Sequence, residues 1–147
     1  MHWSEMIADR IIRRNPDKEE YVCAAGISPS CSINIGNFRD IATSYFVVLA
    51  LRKIGKKARL LFSWDEFDRL RKVPVNVAAV RDDFDKYIGQ PYVDAPDPFG
   101  CCESYAKHFQ NEFEASIKKF GIDMDYRYQA SQYRSGKYAK YVIQALQ

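Results

Sequence analysis

The feature that most constrains this chain is a strand-turn-helix-strand unit between Tyr21 and Ser63. Tyr21-Val22-Cys23-Ala24-Ala25 is a short apolar run and reads as a buried strand. Gly26 to Gly36 is rich in glycine, serine and proline, so it reads as a loop. From Asn37 to Ile54 the chain is apolar on most faces, through Ile41, Tyr45, Phe46, Val48 and Leu49. This predicts a buried helix that Gly55 closes. Ala58–Ser63 is a second apolar strand. A β-α-β unit of this kind is the repeating element of parallel sheets. The expected class is therefore α/β, a parallel sheet with flanking helices.

The rest of the chain extends the pattern. Met6, Ile7, Ile11 and Ile12 are spaced for a helix that Ser4 can cap and Asn15-Pro16 ends. Asp65–Lys72 is charged, Asp82–Tyr87 is weakly helical, and Pro91–Asp94 reads as a third strand. Ala95–Gly100 is a loop. Tyr105, Phe109, Phe113, Ile117 and Phe120 form the apolar stripe of a helix that Gly121 closes. Ile122–Tyr128 reads as a strand and Lys137–Gln147 as the start of a helix.

The chain has 147 residues, enough for one domain with a real core. A net charge of +3 is far below that of a dedicated nucleic-acid binder, although it permits a polyanionic partner. Tyr45–Leu51, the longest apolar stretch, is too short to span a bilayer. The N-terminus lacks the apolar core of a signal peptide, so the expected setting is the cytoplasm. In that reducing compartment Cys23, Cys31, Cys101 and Cys102 are packing thiols or metal ligands rather than a disulfide framework.

Two segments carry chemistry. The loop from Gly26 to Asn37 runs from the C-terminal end of a strand into a helix, the edge where open parallel sheets bind ligands. A helix N-terminus offers free N–H groups and partial positive charge to a phosphate. Spacing alone equally allows a plain connecting turn, because this is neither a P-loop nor GxGxxG. Asp97, Cys101, Cys102 and His108 lie within twelve residues, and all three residue types bind zinc. Adjacent cysteines also occur as simple buried thiols. Arg52, Lys53, Lys56, Lys57 and Arg59 suit the C-terminal end of a helix, whereas Arg69, Arg71 and Lys72 stand nearer the ligand edge.

The wording of the first segment goes further. Gly26-Ile27-Ser28-Pro29-Ser30-Cys31-Ser32-Ile33-Asn34-Ile35-Gly36-Asn37 resembles the ATP-binding motif of class I aminoacyl-tRNA synthetases, written HIGH or HIGN. More narrowly it is similar to class I lysyl-tRNA synthetase, with the pattern G-I-T-P-S-G-x-x-H-I-G-N-F-R. The stretch Trp64-Asp65-Glu66-Phe67-Asp68-Arg69-Leu70-Arg71-Lys72-Val73-Pro74 resembles that family's W-D-D-Y-D-R-x-R-K-V-P block. His2-Trp3 with Ile7-Ala8-Asp9, Pro96–Cys101 and Ser104–Phe109 are similar to further blocks, in register along the whole chain.

The resemblance implies a Rossmann-like (HUP-type) sheet and an enzyme that joins lysine to tRNA(Lys) using ATP with Mg2+. It implies that Pro29 to Asn37 form the ATP motif, with Asn34, Gly36 and Asn37 touching ATP. Gly26 and Ser28 would line the lysine site; Asp65, just past the second strand, is a candidate partner for a ligand ammonium and reads equally well as a solvated loop charge. It also implies zinc at Asp97, Cys101, Cys102 and His108, where the family has D-x-x-x-C-H-x-x-x-x-x-H. A monomer is expected.

Three departures qualify these expectations. Asn34 stands where the motif has its first histidine. Asn donates a neutral hydrogen bond where histidine can donate a charge-assisted one, a difference of roughly 1–3 kcal/mol. Cys31 stands where the family has glycine, which matters if that position needs positive φ. Family enzymes are several times longer and carry a KMSKS-type loop and an anticodon-binding domain. The expectation is thus the N-terminal part of a catalytic domain, 1–147, incomplete and inactive alone. The alternative is a degenerate stand-alone module that binds nucleotide, lysine or tRNA without catalysis.

Overall fold

The computed structural model describes residues 2–147. The element order is α1 (Trp3–Arg14), β1 (Tyr21–Ile27), α2 (Ile35–Lys53), β2 (Ala58–Trp64), α3 (Val75–Ala78), a 3-10 turn (Phe84–Tyr87), α4 (Tyr105–Lys119), β3 (Asp125–Tyr128), α5 (Gln129–Arg134) and α6 (Ala139–Leu146). The strands form one three-stranded sheet in the order β1-β2-β3. The Tyr21 N–H donates to the Lys57 carbonyl at 2.9 Å, and the Asp65 N–H donates to the Ile27 carbonyl at 3.0 Å. Start pairs with start and end with end, so the sheet is parallel, as the β-α-β reading requires.

The chain divides into two compact units. One comprises residues 2–26, 34–63 and 117–127. Here β2 is the central strand and alternates strictly, with Ala58, Leu60 and Phe62 buried. The edge strand β1 buries only Tyr21 fully and then alternates exposed with half-buried residues, so the expected buried strand is covered on one face. Ile41, Val48 and Leu51 of α2 complete this core. Burying side chains of this size contributes about 1.5–3 kcal/mol each. Gly55, at φ +78°, follows the last turn of α2 in the left-handed conformation that a side chain resists.

Helix α1 is capped two residues earlier than Ser4 suggested. His2 is the N-cap; its Nδ1 accepts from the Ser4 N–H, and Glu5 reaches back to the His2 N–H at 2.9 Å. Ser4 is buried inside the first turn. Imidazole can serve as acceptor in a capping box, which a search for Ser, Thr, Asp or Asn overlooks.

The other unit comprises residues 27–33, 64–116 and 128–147. Its core is aromatic: Phe84, Tyr92, Tyr105 and Phe109, with Leu70, Val77, Ala95 and Ala106. Tyr92 stacks on Tyr105 at 5.6 Å between centroids, and Phe109 tilts against Tyr105 at 4.9 Å. The expected strand at Pro91–Asp94 is instead a turn, tied to the chain by one antiparallel bridge between Arg69 and Pro91. Proline lacks the N–H that a strand ladder needs. Of the apolar stripe on α4, Tyr105, Phe109, Phe113 and Ile117 are buried, while Phe120 lies beyond the helix end and is exposed.

Candidate functional site

The proposed ATP motif spans a loop and a helix start. Within the second unit, Pro29 is buried and Ser30 is fixed from two sides. Its N–H donates to the Ser28 carbonyl at 2.8 Å, and its carbonyl accepts from the Tyr105 hydroxyl at 2.5 Å. Burial pushes the Tyr105 phenol well above its ordinary value, so it stays protonated and remains a donor. Ser32 donates to Glu112 at 3.2 Å. Cys31 and Ile33 are half-buried. No residue other than glycine has positive φ among the described residues, so Cys31 is not strained there.

Within the first unit, Asn34 is the N-cap of α2. Its Oδ1 accepts from the N–H groups of Gly36 at 2.8 Å and Asn37 at 3.3 Å. The side-chain nitrogen Nδ2 is left as the outward donor of an exposed residue. Gly36 also leaves room for this cap, since a Cβ there would stand 3.0 Å from Asn34 Oδ1. Ile35 is 80% exposed, unusual for a large apolar side chain at a helix start. The first turn of α2 holds no acidic residue, so its partial positive charge is uncompensated.

The residues expected to hold lysine separate. Gly26 is exposed near the end of β1. Ser28 lines a cleft of about 620 Å3 with Ser30, Cys31, Arg71 and Lys72. Its hydroxyl donates to Asp68 at 2.7 Å, and Asp68 lines the same cleft. Asp65 lies in a different cleft of about 380 Å3, with Gln129, Tyr133, Tyr138 and Tyr141. Asp68 was not singled out from sequence. The available signal was its place three residues after Asp65, on the same short segment beyond β2.

The four candidate metal ligands come together. Their ligand atoms all lie within 4.8 Å of one another. The Cys101 and Cys102 sulfurs are 3.6 Å apart, Cys101 Sγ lies 3.2 Å from His108 Nδ1, and Asp97 Oδ1 lies 3.3 Å from the same nitrogen. Tetrahedral zinc with thiolate, imidazole and carboxylate ligands has edges of about 3.3–3.8 Å, so the donor set fits that ion.

The carboxylate organises the loop. Asp97 is buried and accepts from the N–H groups of Phe99 at 3.0 Å and of Cys101 and Cys102 at 2.7 Å each. Burial pushes its carboxyl up, but these backbone bonds outweigh that and hold it below its ordinary value. The hydrogen bond with Cys102, then burial and the Asp97 carboxylate, push the Cys101 thiol up to about 11. A cation among these groups inverts that balance, because a metal-bound thiol ionises. Phe99 stacks on the His108 ring at 4.4 Å and Asn111 Nδ2 approaches Cys102 Sγ at 3.5 Å, contacts that orient two of the candidate ligands.

All four cysteines are free thiols. No helix among the described residues is long and apolar enough to cross a membrane.

Comparison with known proteins gives one consistent answer. The sequence model of the family described as tRNA synthetases class I (K) matches residues 1–147. The chain is 46% identical over 147 residues to a lysine–tRNA ligase of Thermococcus kodakarensis, covering all of this chain and 27% of that protein. It is 44% identical to a lysine–tRNA ligase of Pyrococcus horikoshii over 95% of this chain and 26% of the relative. It is 42% identical to one of Treponema pallidum over 99% and 28%. The chain thus spans about a quarter of the length of these relatives.

Proposed function

The chain belongs to the class I (K) tRNA synthetases, and from that premise we propose that it is the N-terminal part of a lysine–tRNA ligase catalytic domain, residues 1–147. The reaction would be ATP-dependent formation of lysyl-adenylate followed by transfer of lysine to tRNA(Lys). The lysine carboxylate attacks the α-phosphate, a carboxylate–phosphate bond forms, and pyrophosphate leaves with Mg2+ as counter-ion. Adenylate chemistry needs a donor-rich edge for the phosphates and a site for the amino acid. The helix-start N–H groups of Gly36 and Asn37 and the outward Nδ2 of Asn34 fit the first role. Pro29 to Ile33 form the loop leading into it.

Lysine would be held at Gly26 and Ser28, with Asp68 fixing the Ser28 hydroxyl. Asp65 is the candidate partner for an ammonium, in a cleft with three tyrosines whose ring faces attract cations. Asp97, Cys101, Cys102 and His108 would hold a structural zinc that ties the Asp97 loop to α4. A cytoplasmic monomer is the expected form. The observation that carries this reading is the family match over the whole chain, with Asn34 capping the helix that follows the motif loop.

A second reading, a binding module without catalysis, is favoured by Asn34, which replaces a chargeable donor with a neutral one, and by the bulk of Cys31 in the motif loop. Lysine-dependent exchange of pyrophosphate into ATP distinguishes the two. A chimera of this chain with the remainder of the Thermococcus kodakarensis protein should exchange, and Asn34→His should raise the rate by about one to two decades. A silent chimera that Asn34→His awakens supports the module. Silence in both overturns the ligase reading.

A further inference from the structure

Arg71 and Lys72 are exposed, and neither side chain has an ion pair or hydrogen bond among the described residues. Both line the cleft of about 620 Å3 that also holds Ser28, Cys31 and Tyr92. That volume falls in the range of small-molecule sites, roughly 300–1,000 Å3. The third charged group on the wall is Asp68, whose carboxylate accepts from the Ser28 hydroxyl at 2.7 Å. Two cations stand against one carboxylate, so the wall keeps a surplus positive charge that attracts an anion.

Exposed cations alone would be a solvated surface, but Tyr92 adds a fixed donor. Tyr92 is 5% exposed, and its hydroxyl makes no hydrogen bond among the described residues. Gln110 Nε2 is the one unpartnered side-chain polar atom sealed from solvent there, so the Tyr92 hydroxyl stays open to the cleft that its residue lines. Burial pushes this phenol up; the Arg71 charge opposes the rise, and Asp68 and Cys31 add to it. The hydroxyl thus senses three groups of this cleft, stays protonated and can donate. Its ring is held by stacking on Tyr105 at 5.6 Å between centroids.

The donor set selects the anion. A guanidinium fork matches phosphate bidentately, and an ammonium and a phenol can serve its remaining oxygens. A carboxylate has only two oxygens to divide among the three donors. We propose that Arg71, Lys72 and Tyr92 form a phosphate-binding subsite in the Ser28 cleft. It is additional to the phosphate contacts assigned to the start of α2 and uses none of those residues. The phosphate is that of free pyrophosphate or of a nucleotide, which share this chemistry. The subsite stands on the geometry of the cleft and does not need the ligase reading.

The test follows the Tyr92 ring signals and the backbone N–H signals of Ser30 and Cys31 while the chain is titrated with inorganic pyrophosphate, AMP and acetate. Pyrophosphate should shift them saturably, and acetate should bind at least about tenfold more weakly. Arg71→Ala and Lys72→Ala should each weaken pyrophosphate binding about tenfold, with the melting temperature unchanged because both side chains are exposed and unpaired. Tyr92→Phe, which keeps the packed ring, should weaken it about fivefold. AMP binding as tightly as pyrophosphate identifies a nucleotide as the source of the phosphate, and AMP binding about tenfold more weakly identifies free pyrophosphate; both results support the subsite. Signals that ignore pyrophosphate overturn it, as do equal affinities for acetate and pyrophosphate, or an affinity unchanged in Arg71→Ala and Lys72→Ala. A chimera silent in pyrophosphate exchange bears on the ligase reading alone, because this binding needs neither lysine nor adenylate.

Discussion

The side-chain oxygen of Asn34 accepts the backbone N–H of Gly36 at 2.8 Å. It therefore occupies one of the donors that a phosphate at the start of α2 would use. A nucleotide phosphate must either displace this cap or approach the outward Nδ2. Helix capping and ligand binding compete for the same atoms, so this position links stability to function.

The cap should be measurable as a double-mutant cycle. Asn34→Ala should cost about 1 kcal/mol of unfolding free energy. Gly36→Ala alone should be near neutral, because the gain in helix propensity is offset by a Cβ 3.0 Å from Asn34 Oδ1. In the Asn34→Ala background that contact is gone, and Gly36→Ala should stabilise by up to about 1 kcal/mol. Urea midpoints of the four proteins check this, and simple additivity would refute the steric account.

Zinc should bind at one ion per chain, through Asp97, Cys101, Cys102 and His108. Metal analysis by mass spectrometry in native solution reads the stoichiometry. Cys101→Ser or His108→Ala should lose the ion, and Cys102→His should keep it because imidazole is also a zinc ligand. The melting temperature should rise with free zinc, as mass action requires. Four readily titratable thiols in the presence of zinc would contradict the assignment.

Glu66 gives a pH signature. Burial pushes its carboxyl above the ordinary 4.5, against the opposing bonds from Ala130 and Gln129 and with a smaller push from Asp65. The folded state then holds this proton more tightly than the unfolded state. Its contribution to stability is fully present below pH 4.5 and is lost as pH rises through the folded pKa. The stability of the parent chain minus that of Glu66→Gln should therefore fall as pH rises across this window and then level off. Chemical denaturation at a series of pH values reads the slope. A difference that grows with pH would contradict the sign.

The β-α-β unit, the α4 stripe and the grouping of Asp97, Cys101, Cys102 and His108 were readable because each rests on local spacing. The apolar period placed Tyr105, Phe109, Phe113 and Ile117 on one face, and all four are buried. Boundaries moved where a side chain acts as cap: Asn34 caps α2, which begins at Ile35, two residues before Asn37, and His2 replaces Ser4 at α1. The long-range pairs were not readable. Tyr105 to Ser30 spans 75 positions and Ser28 to Asp68 spans 40, and no periodicity encodes either. The Tyr92 hydroxyl was hidden for the same reason, since its lack of a partner is a property of packing.

The start of α2 is where nucleotide binding is tested most directly. Amide spectra of the chain titrated with ATP and, separately, with adenosine test it. The account predicts that ATP shifts the backbone N–H signals of Gly36 and Asn37 as phosphate replaces the Asn34 cap, and that adenosine leaves them in place. Gly36 and Asn37 signals that stay fixed under ATP, or move equally with adenosine, would contradict it.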